Sequence, residues 1–204
     1  MEPFVLRDAH VTLSVPTLAD VDQVAEACTD PEIAAWTVVP SPYTRQDAEG
    51  FVTQMVADGW GRDTMYTWAV RPAGQIDGPV LGMMGVGVTA GAPGADGAGE
   101  IGYWTAPDAR GRGITTAAAR LAADWALSPD GLGLTRLQWQ AYVGNWPSRR
   151  VAWRLGFRSE GTLRRYGMQR GVLRDSWMAS LLADDPRGPS EPWPAEAPVP
   201  GAGR

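Results

Sequence analysis

Two hydrophobic periodicities alternate along the chain and predict its elements. Residues 10–16, HVTLSVP, alternate apolar and polar positions as a strand does, and residues 18–28 have apolar positions at helical spacing after an N-cap-like Thr17. Helical spacing returns in residues 45–58, which follow Thr44. The first third of the chain therefore predicts one strand followed by two helices.

Strands and helices continue to alternate towards the C-terminus. Strands are predicted at residues 66–70, 80–89, 101–105, 135–143, 161–168 and 172–182, and helices at residues 114–127 and 147–155. The glycine-rich residues 90–99 are predicted to form a loop between two antiparallel strands. This order of elements predicts one α/β (mixed α+β) domain in residues 1–182.

The C-terminal residues 183–204 have a different composition. Proline is too frequent there for regular structure, and apolar residues are too few to predict packing. We therefore expect this segment to be a Pro-rich flexible tail that is dispensable for activity.

Composition excludes several classes of protein. The chain has 204 residues with one cysteine and one histidine, so neither an intramolecular disulfide nor a zinc site is expected, and we predict no metal. It has no apolar run of roughly 20 residues and no signal peptide, which predicts a cytoplasmic protein and no membrane partner. All of its basic side chains except His10 are arginine, a bias typical of a GC-rich bacterial gene.

Charge is distributed unevenly around a net value of -5. Residues 1–99 contain 4 arginines and 13 acidic residues, whereas residues 100–175 contain 12 arginines and 6 acidic residues. An anionic ligand suits the second part and a cationic ligand suits the first, although solvated surfaces also produce such imbalances. An acidic chain without a basic run disfavours duplex nucleic acid as a partner.

The sequence ARGRGIT begins at Ala109, between a predicted strand and a predicted helix. Unpaired N–H groups at a helix N-terminus bind anions, and glycine lets a ligand approach the backbone closely. The segment lacks the Gly-Lys-Ser/Thr of a P-loop, and the following strand lacks the acidic residue of a dinucleotide-binding fold. A different phosphate-bearing ligand is therefore predicted.

This loop resembles the acyl-CoA pyrophosphate loop of the GNAT superfamily of N-acetyltransferases. Arg110 and Gly113 match that pattern, while Thr115 departs from its last position. GEIGYWTAPDARGRG, GNWPSRRVAWRLGF and SEGTLRR together resemble the ribosomal-protein N-terminal acetyltransferase (Rim-like) branch. The resemblance implies a GNAT fold: a central mixed, mostly antiparallel seven-stranded sheet with a splayed centre and helices on both faces.

The resemblance also implies roles for single residues, with acetyl-CoA (coenzyme A) as co-substrate. The residues expected to bind it are Trp104, Thr105, Ala106, Arg110, Gly111, Arg112, Gly113, Ile114, Thr115, Thr116, Asn145 and Ser148. Ser148 is further implied as proton donor to the leaving thiolate. A turn role for Asn145 and a first-turn helical role for Ser148 remain alternatives.

The sequence leaves three possibilities for the general base. Glu100 is the candidate at the start of a central strand, Glu160 is an alternative, and a mechanism without a protein base is a third. The acceptor amine is expected to be cationic and to contact Trp36, Tyr43, Trp68 and Tyr166, although such aromatic residues also occur in cores.

The resulting prediction is an N-acetyltransferase that moves an acetyl group from acetyl-CoA to a primary amine, either a protein N-terminus or a small molecule. Use of another donor, such as succinyl-CoA or a carrier-bound acyl group, is one alternative. A non-catalytic acyl-CoA-binding module is the other. The oligomeric state is left open, a homodimer included.

Overall fold

A single sheet forms the centre of the molecule. The computed structural model describes residues 1–89 and 97–198, and the strands within them are β1 (Leu6–Arg7), β2 (Val11–Ser14), β3 (Met65–Pro72), β4 (Gly82–Val88), β5 (Ala98–Thr105), β6 (Arg136–Tyr142), β7 (Arg158–Gln169) and β8 (Val172–Leu182). Their order is β1-β2-β3-β4-β5-β6-β8-β7. Neighbours are antiparallel except for the parallel pair β5 and β6. The expected fold class is confirmed, but these ranges contain eight strands instead of seven because the short β1 pairs with the edge of β2.

Helices cover both faces of the sheet. They are α1 (Val21–Cys28), α2 (Pro31–Trp36), α3 (Arg45–Gly50), α4 (Ala57–Gly61), α5 (Ile114–Leu127) and α6 (Trp146–Leu155). The helix predicted at residues 45–58 runs through α3, a π-helical segment (Phe51–Val56) and α4. The sequence patterns missed α2, whose six residues are too few to show a helical period. Its N-cap Asp30 accepts a hydrogen bond from the Ile33 N–H at 3.0 Å.

Two apolar cores lie on opposite faces of the sheet, as the alternation along β3 shows. Trp68 and Val70 belong to the core beneath α5 and α6, whereas the intervening Ala69 belongs to the core beneath α1 and α3. Buried alanines form the face of α5 that packs on the sheet, and their small side chains let the helix backbone approach closely. This packing places the N-terminus of α5 over the middle of the sheet.

The loop predicted at residues 90–99 falls mostly on residues 90–96, which lie outside the described residues. The strands that it joins, β4 and β5, are antiparallel as predicted.

Residues 183–198 of the tail lie against the domain, so the prediction that this segment is unable to pack is wrong for these residues. The Trp193 ring lies 5.4 Å from Trp153 and 6.1 Å from Trp146, centroid to centroid. Trp153 Nε1 donates to the Glu191 carbonyl oxygen at 2.7 Å, and Arg187 Nε donates to Asp124 at 3.0 Å. The average composition of the tail did not indicate these contacts, because only a few large side chains make them. Residues 199–204 lie outside the described part of the chain.

Candidate active site

The centre of the sheet opens between β5 and β6. These parallel strands pair only from Ala98 to Ile101 on β5 and from Arg136 to Trp139 on β6. Beyond Ile101, β5 pairs only with β4, and beyond Trp139, β6 pairs only with β8. The backbone of both strands is therefore exposed along a wedge in which an extended ligand can form β-type hydrogen bonds.

Backbone direction distinguishes the residues that face this wedge. The Ala106 N–H donates to the Leu81 carbonyl oxygen at 2.9 Å, on the β4 side. Because N–H groups alternate in direction along a strand, the Thr105 N–H points into the wedge. Thr105 is therefore placed to donate to an acyl or pantetheine oxygen. Ala106 was predicted to pair with the pantetheine arm, but its N–H is already used within the sheet.

The loop before α5 forms a cradle of bare backbone. Gly111 and Gly113 have φ values of 73° and 77°, which only glycine adopts readily. A Cβ added at either position meets no atom within 4 Å, so the space in front of the helix is open. The first N–H groups of α5, from Ile114 onwards, have no intrahelical acceptor. These features fit an anionic group such as a pyrophosphate.

Side chains brace this cradle. Arg110 forms an ion pair with Asp30 at 2.5 Å, and its Nε donates to the Thr105 carbonyl oxygen at 3.3 Å. The hydrogen bond from Arg110 holds the pKa of Asp30 below its usual value. The Thr105 and Thr115 hydroxyls lie 2.5 Å apart. Arg110 and Thr115 therefore connect the loop to neighbouring elements, which sequence reasoning did not foresee.

The N-terminus of α6 lies on the other side of the wedge. Asn145 is its N-cap, and its side-chain oxygen accepts a hydrogen bond from the Ser148 N–H at 3.2 Å. Asn145 therefore caps the helix, at the turn position that remained as an alternative for it. The Ser148 hydroxyl accepts a hydrogen bond from Trp139 Nε1 at 3.0 Å and donates one to the Tyr103 hydroxyl at 3.2 Å.

A cleft of about 1590 Å³ runs along the wedge between α3 and β5. It brings together six of the predicted site residues: Trp36, Tyr43, Glu100, Trp104, Asn145 and Ser148. Among the described residues, three acidic residues and no arginine line it, the acids being Asp47, Glu49 and Glu100. Hydrogen bonds from the Thr44 hydroxyl and N–H hold the pKa of Asp47 below its usual value, so this carboxylate is charged at neutral pH.

Two of the aromatic residues predicted to contact the acceptor do not line the cleft. Trp68 has an exposed fraction of 0% and packs among Phe4, Trp60 and Trp125, so its predicted role is wrong. Tyr166 lies on β7 with 58% of its surface exposed and is not among the residues that line the cleft. The sequence patterns could not separate these rings from Trp36 and Tyr43, because an aromatic strand residue suits either a core or a cleft.

The two candidate bases have different surroundings. The Glu100 carboxylate lines the cleft and accepts a hydrogen bond from Gln138 Nε2 at 2.8 Å. The Glu160 carboxylate is paired with Arg136 at 2.8 Å and accepts a hydrogen bond from the Ser180 hydroxyl. Because Glu160 is held by a cation outside the cleft, the geometry favours Glu100.

No cluster of His, Cys, Asp and Glu side chains suited to a metal ion occurs in residues 1–89 and 97–198. Within the same two ranges, every helix is too short or too polar to cross a bilayer.

The sequence itself decides the family. Residues 10–158 match the family described as "Acetyltransferase (GNAT) domain", which is more than half of the chain. The chain belongs to the GNAT acetyltransferase family. Acetyl-CoA is the co-substrate of GNAT enzymes, and the predicted acetyl-CoA-dependent N-acetyltransferase is confirmed.

Individual GNAT relatives agree with this assignment. The chain is 27% identical to the uncharacterized N-acetyltransferase p20 of Bacillus licheniformis over 179 residues, which cover 87% of this chain and 95% of p20. It is 42% identical to YdaF of Bacillus subtilis (strain 168), a candidate ribosomal N-acetyltransferase, over 83 residues that cover 41% of this chain and 44% of YdaF. That match therefore spans less than half the length of YdaF. The structure of Mycobacterium smegmatis RimJ in complex with CoA-disulfide superposes with a TM-score of 0.74, covers 90% of each chain and is 25% identical.

Sequence reasoning about this GNAT site missed Tyr103 and Trp139. Trp139 is the last residue of β6 that pairs with β5, Tyr103 lies on β5 beyond that pairing, and both contact Ser148 through their polar atoms. Neither residue stands at a helical or motif spacing from Ser148, so no local pattern indicated the contact.

Proposed function

We propose that this GNAT enzyme acetylates the amino group of a positively charged acceptor, with a protein N-terminus as its preferred substrate class. The observation that carries the proposal is the charge of the cleft. Its walls carry three carboxylates and no arginine, while Arg110 and Arg112 lie at the α5 loop outside it. A cationic acceptor is attracted to this cleft, and the coenzyme's phosphates are attracted to the loop.

The cleft has room for a peptide beside the coenzyme. Its volume of about 1590 Å³, which the pantetheine arm shares, exceeds the roughly 300–1,000 Å³ of small-molecule sites. The description of YdaF as a ribosomal N-acetyltransferase supports the same class of acceptor. We infer a cytoplasmic enzyme, since acetyl-CoA and newly made protein N-termini are both found there.

In this proposal the wedge holds the pantetheine arm, and the cradle at Gly111 and Gly113 holds the pyrophosphate. The acceptor nitrogen attacks the thioester carbonyl carbon, and the Thr105 N–H stabilises the developing oxyanion. Glu100, directly or through water, takes the proton that the amine loses. The C–S bond then breaks with its electron pair on sulfur, and the Ser148 hydroxyl donates a hydrogen bond to that sulfur.

The test incubates the protein with acetyl-CoA and a panel of acceptors, read by mass spectrometry. The panel contains peptides that differ only in having arginine or glutamate at positions two to four, together with small amines. We expect acetylation of peptide N-termini with faster turnover of the arginine peptides. Preference for glutamate peptides, or turnover of small amines alone, would contradict the proposed acceptor.

The same assay separates the alternatives for the donor and for Ser148. Turnover only with succinyl-CoA would assign another donor, and acetyl-CoA binding without turnover would assign a binding module. Ser148→Ala is expected to lower kcat by about 10²-fold, the low end of general-acid effects, with little change in acetyl-CoA affinity. Ser159→Ala on exposed β7 is the matched control and should retain wild-type kcat.

A further inference from the structure

The Ser148 hydroxyl is held by two aromatic side chains from different strands. Trp139 Nε1 on β6 donates to Ser148 Oγ at 3.0 Å. Ser148 Oγ donates to the Tyr103 hydroxyl on β5 at 3.2 Å, and that hydroxyl donates to the Ser148 carbonyl oxygen at 3.1 Å. All three side chains line the cleft, and Tyr103 and Trp139 lie on the two strands that diverge at the wedge.

The geometry of this cluster fits an arrangement of protons that uses both hydroxyls. The indole N–H of Trp139 only donates, so it occupies a lone pair of Ser148 Oγ. Tyr103 has a single hydroxyl proton, which is directed to the Ser148 carbonyl oxygen. Its oxygen therefore acts as the acceptor for the Ser148 proton. In the absence of substrate, the single hydroxyl proton of Ser148 therefore points to the Tyr103 oxygen.

We propose that Tyr103 and Trp139 are positioning residues that hold the Ser148 hydroxyl ready to donate to the leaving sulfur. This inference rests on the role of Ser148 in the proposed function. As the C–S bond breaks, the Ser148 proton turns from the Tyr103 oxygen to the sulfur, while Trp139 keeps its hydrogen bond to Ser148 Oγ. The Trp139 bond strengthens as negative charge builds up on that oxygen, since linked hydrogen bonds polarise one another.

We assign the acid role to Ser148 and not to Tyr103, because the hydroxyl proton of Tyr103 is used in its bond to the Ser148 carbonyl oxygen. Desolvation also raises the pKa of Tyr103 above its usual value. Loss of its proton would break that bond and leave an anion in a partly buried position. Tyr103 therefore stays neutral through the reaction and acts only by directing Ser148.

The experiment is a double-mutant cycle on the full chain, with kcat and acetyl-CoA Kd measured for each variant. Tyr103→Phe and Trp139→Phe each remove one hydrogen-bonding atom and retain an aromatic ring. Each is expected to lower kcat about 3- to 10-fold, the effect of one lost hydrogen bond, with Kd unchanged. In a Ser148→Ala background, neither substitution should lower kcat further, because their effect is exerted through the missing hydroxyl.

Tyr66→Phe is the matched control, since the buried Tyr66 also loses a hydroxyl hydrogen bond, to Asp63, but lies outside the cleft. Its kcat should be that of the wild type. A wild-type kcat in both Tyr103→Phe and Trp139→Phe, or losses that multiply with that of Ser148→Ala, would overturn the inference and leave the proposed function intact. Wild-type turnover in Ser148→Ala would overturn the proton-donor role and this inference together. If one aromatic variant fails to fold, the other decides the question.

Discussion

Replacement of Gly113 by alanine tests whether the loop before α5 holds the coenzyme's phosphates. Gly113 has a φ of 77°, and a Cβ built on it meets no atom within 4 Å. The added methyl group therefore projects into the open space in front of the helix N-terminus and not into the core. A pyrophosphate bound by the first N–H groups of α5 needs that same space.

Two separable effects are expected from Gly113→Ala. The left-handed backbone costs alanine about 1–2 kcal/mol, which lowers the free energy of unfolding. Displacement of the phosphate by the methyl group loses one hydrogen bond to a charged group, at about 1.5–3 kcal/mol. Since about 1.4 kcal/mol corresponds to a tenfold change in Kd, acetyl-CoA affinity should fall by about 10- to 100-fold.

The assay combines isothermal titration calorimetry with acetyl-CoA and thermal denaturation. Gly171→Ala is the matched control, because Gly171 has a φ of 80°, an equally open Cβ position and a place in the turn between β7 and β8. Both variants should lose similar stability, and only Gly113→Ala should lose affinity. An unchanged Kd in a folded Gly113→Ala protein would refute the phosphate cradle.

Three other regions give further predictions. Trp193→Ala should lower the free energy of unfolding by about 1–3 kcal/mol and also reduce kcat, because Trp193 packs on Trp146 beside the N-cap of α6; a wild-type melting curve would show that this contact is absent in solution. Arg71→Met should lower the free energy of unfolding by about 3–5 kcal/mol in chemical denaturation. Arg71 pairs with the buried carboxylate of Asp20 at 2.8 Å, and the substitution leaves that carboxylate without a cation. Burial raises the pKa of Asp20, but hydrogen bonds from Arg71 and Thr17 lower it by more, so the net pKa lies below its usual value. The stability that the Asp20–Arg71 pair contributes is therefore complete above about pH 4 and is lost as pH falls towards the depressed pKa. The stability difference between wild type and Asp20→Asn should shrink over that range, and a constant difference would contradict the pairing. Glu100→Gln should slow turnover of an N-terminal acceptor most below the α-amine's pKa of about 8 and less as pH rises above it, where the acceptor has already lost its proton to water; a deficit that does not change with pH would argue against Glu100 as the base.

The sequence by itself determined the elements with strong periodicity or clear boundaries. The predicted bounds of α5 and β8 agree with the structure, because Gly113 ends the preceding loop and alternation marks the strand. The sequence also singled out Gly111 and Gly113, which have positive φ, and the pair Asn145 and Ser148, which are hydrogen-bonded. They depend on local backbone conformation and short spacing, which a sequence states directly.

The tertiary structure alone decided which side chains meet. Trp36 and Trp68 are both tryptophans, and their sequence contexts did not distinguish them. Trp36 lines the cleft and Trp68 is buried, because the packing of each face of the sheet determines exposure. Glu100 and Glu160 were separated only when Arg136 was seen to pair with Glu160. The contacts of Ser148 with Tyr103 and Trp139 join residues 45 and 9 positions away. Such contacts depend on where β5 and β6 diverge and on where α6 begins above them. Strand register and helix placement are collective results of packing the whole chain, so no local pattern encodes them.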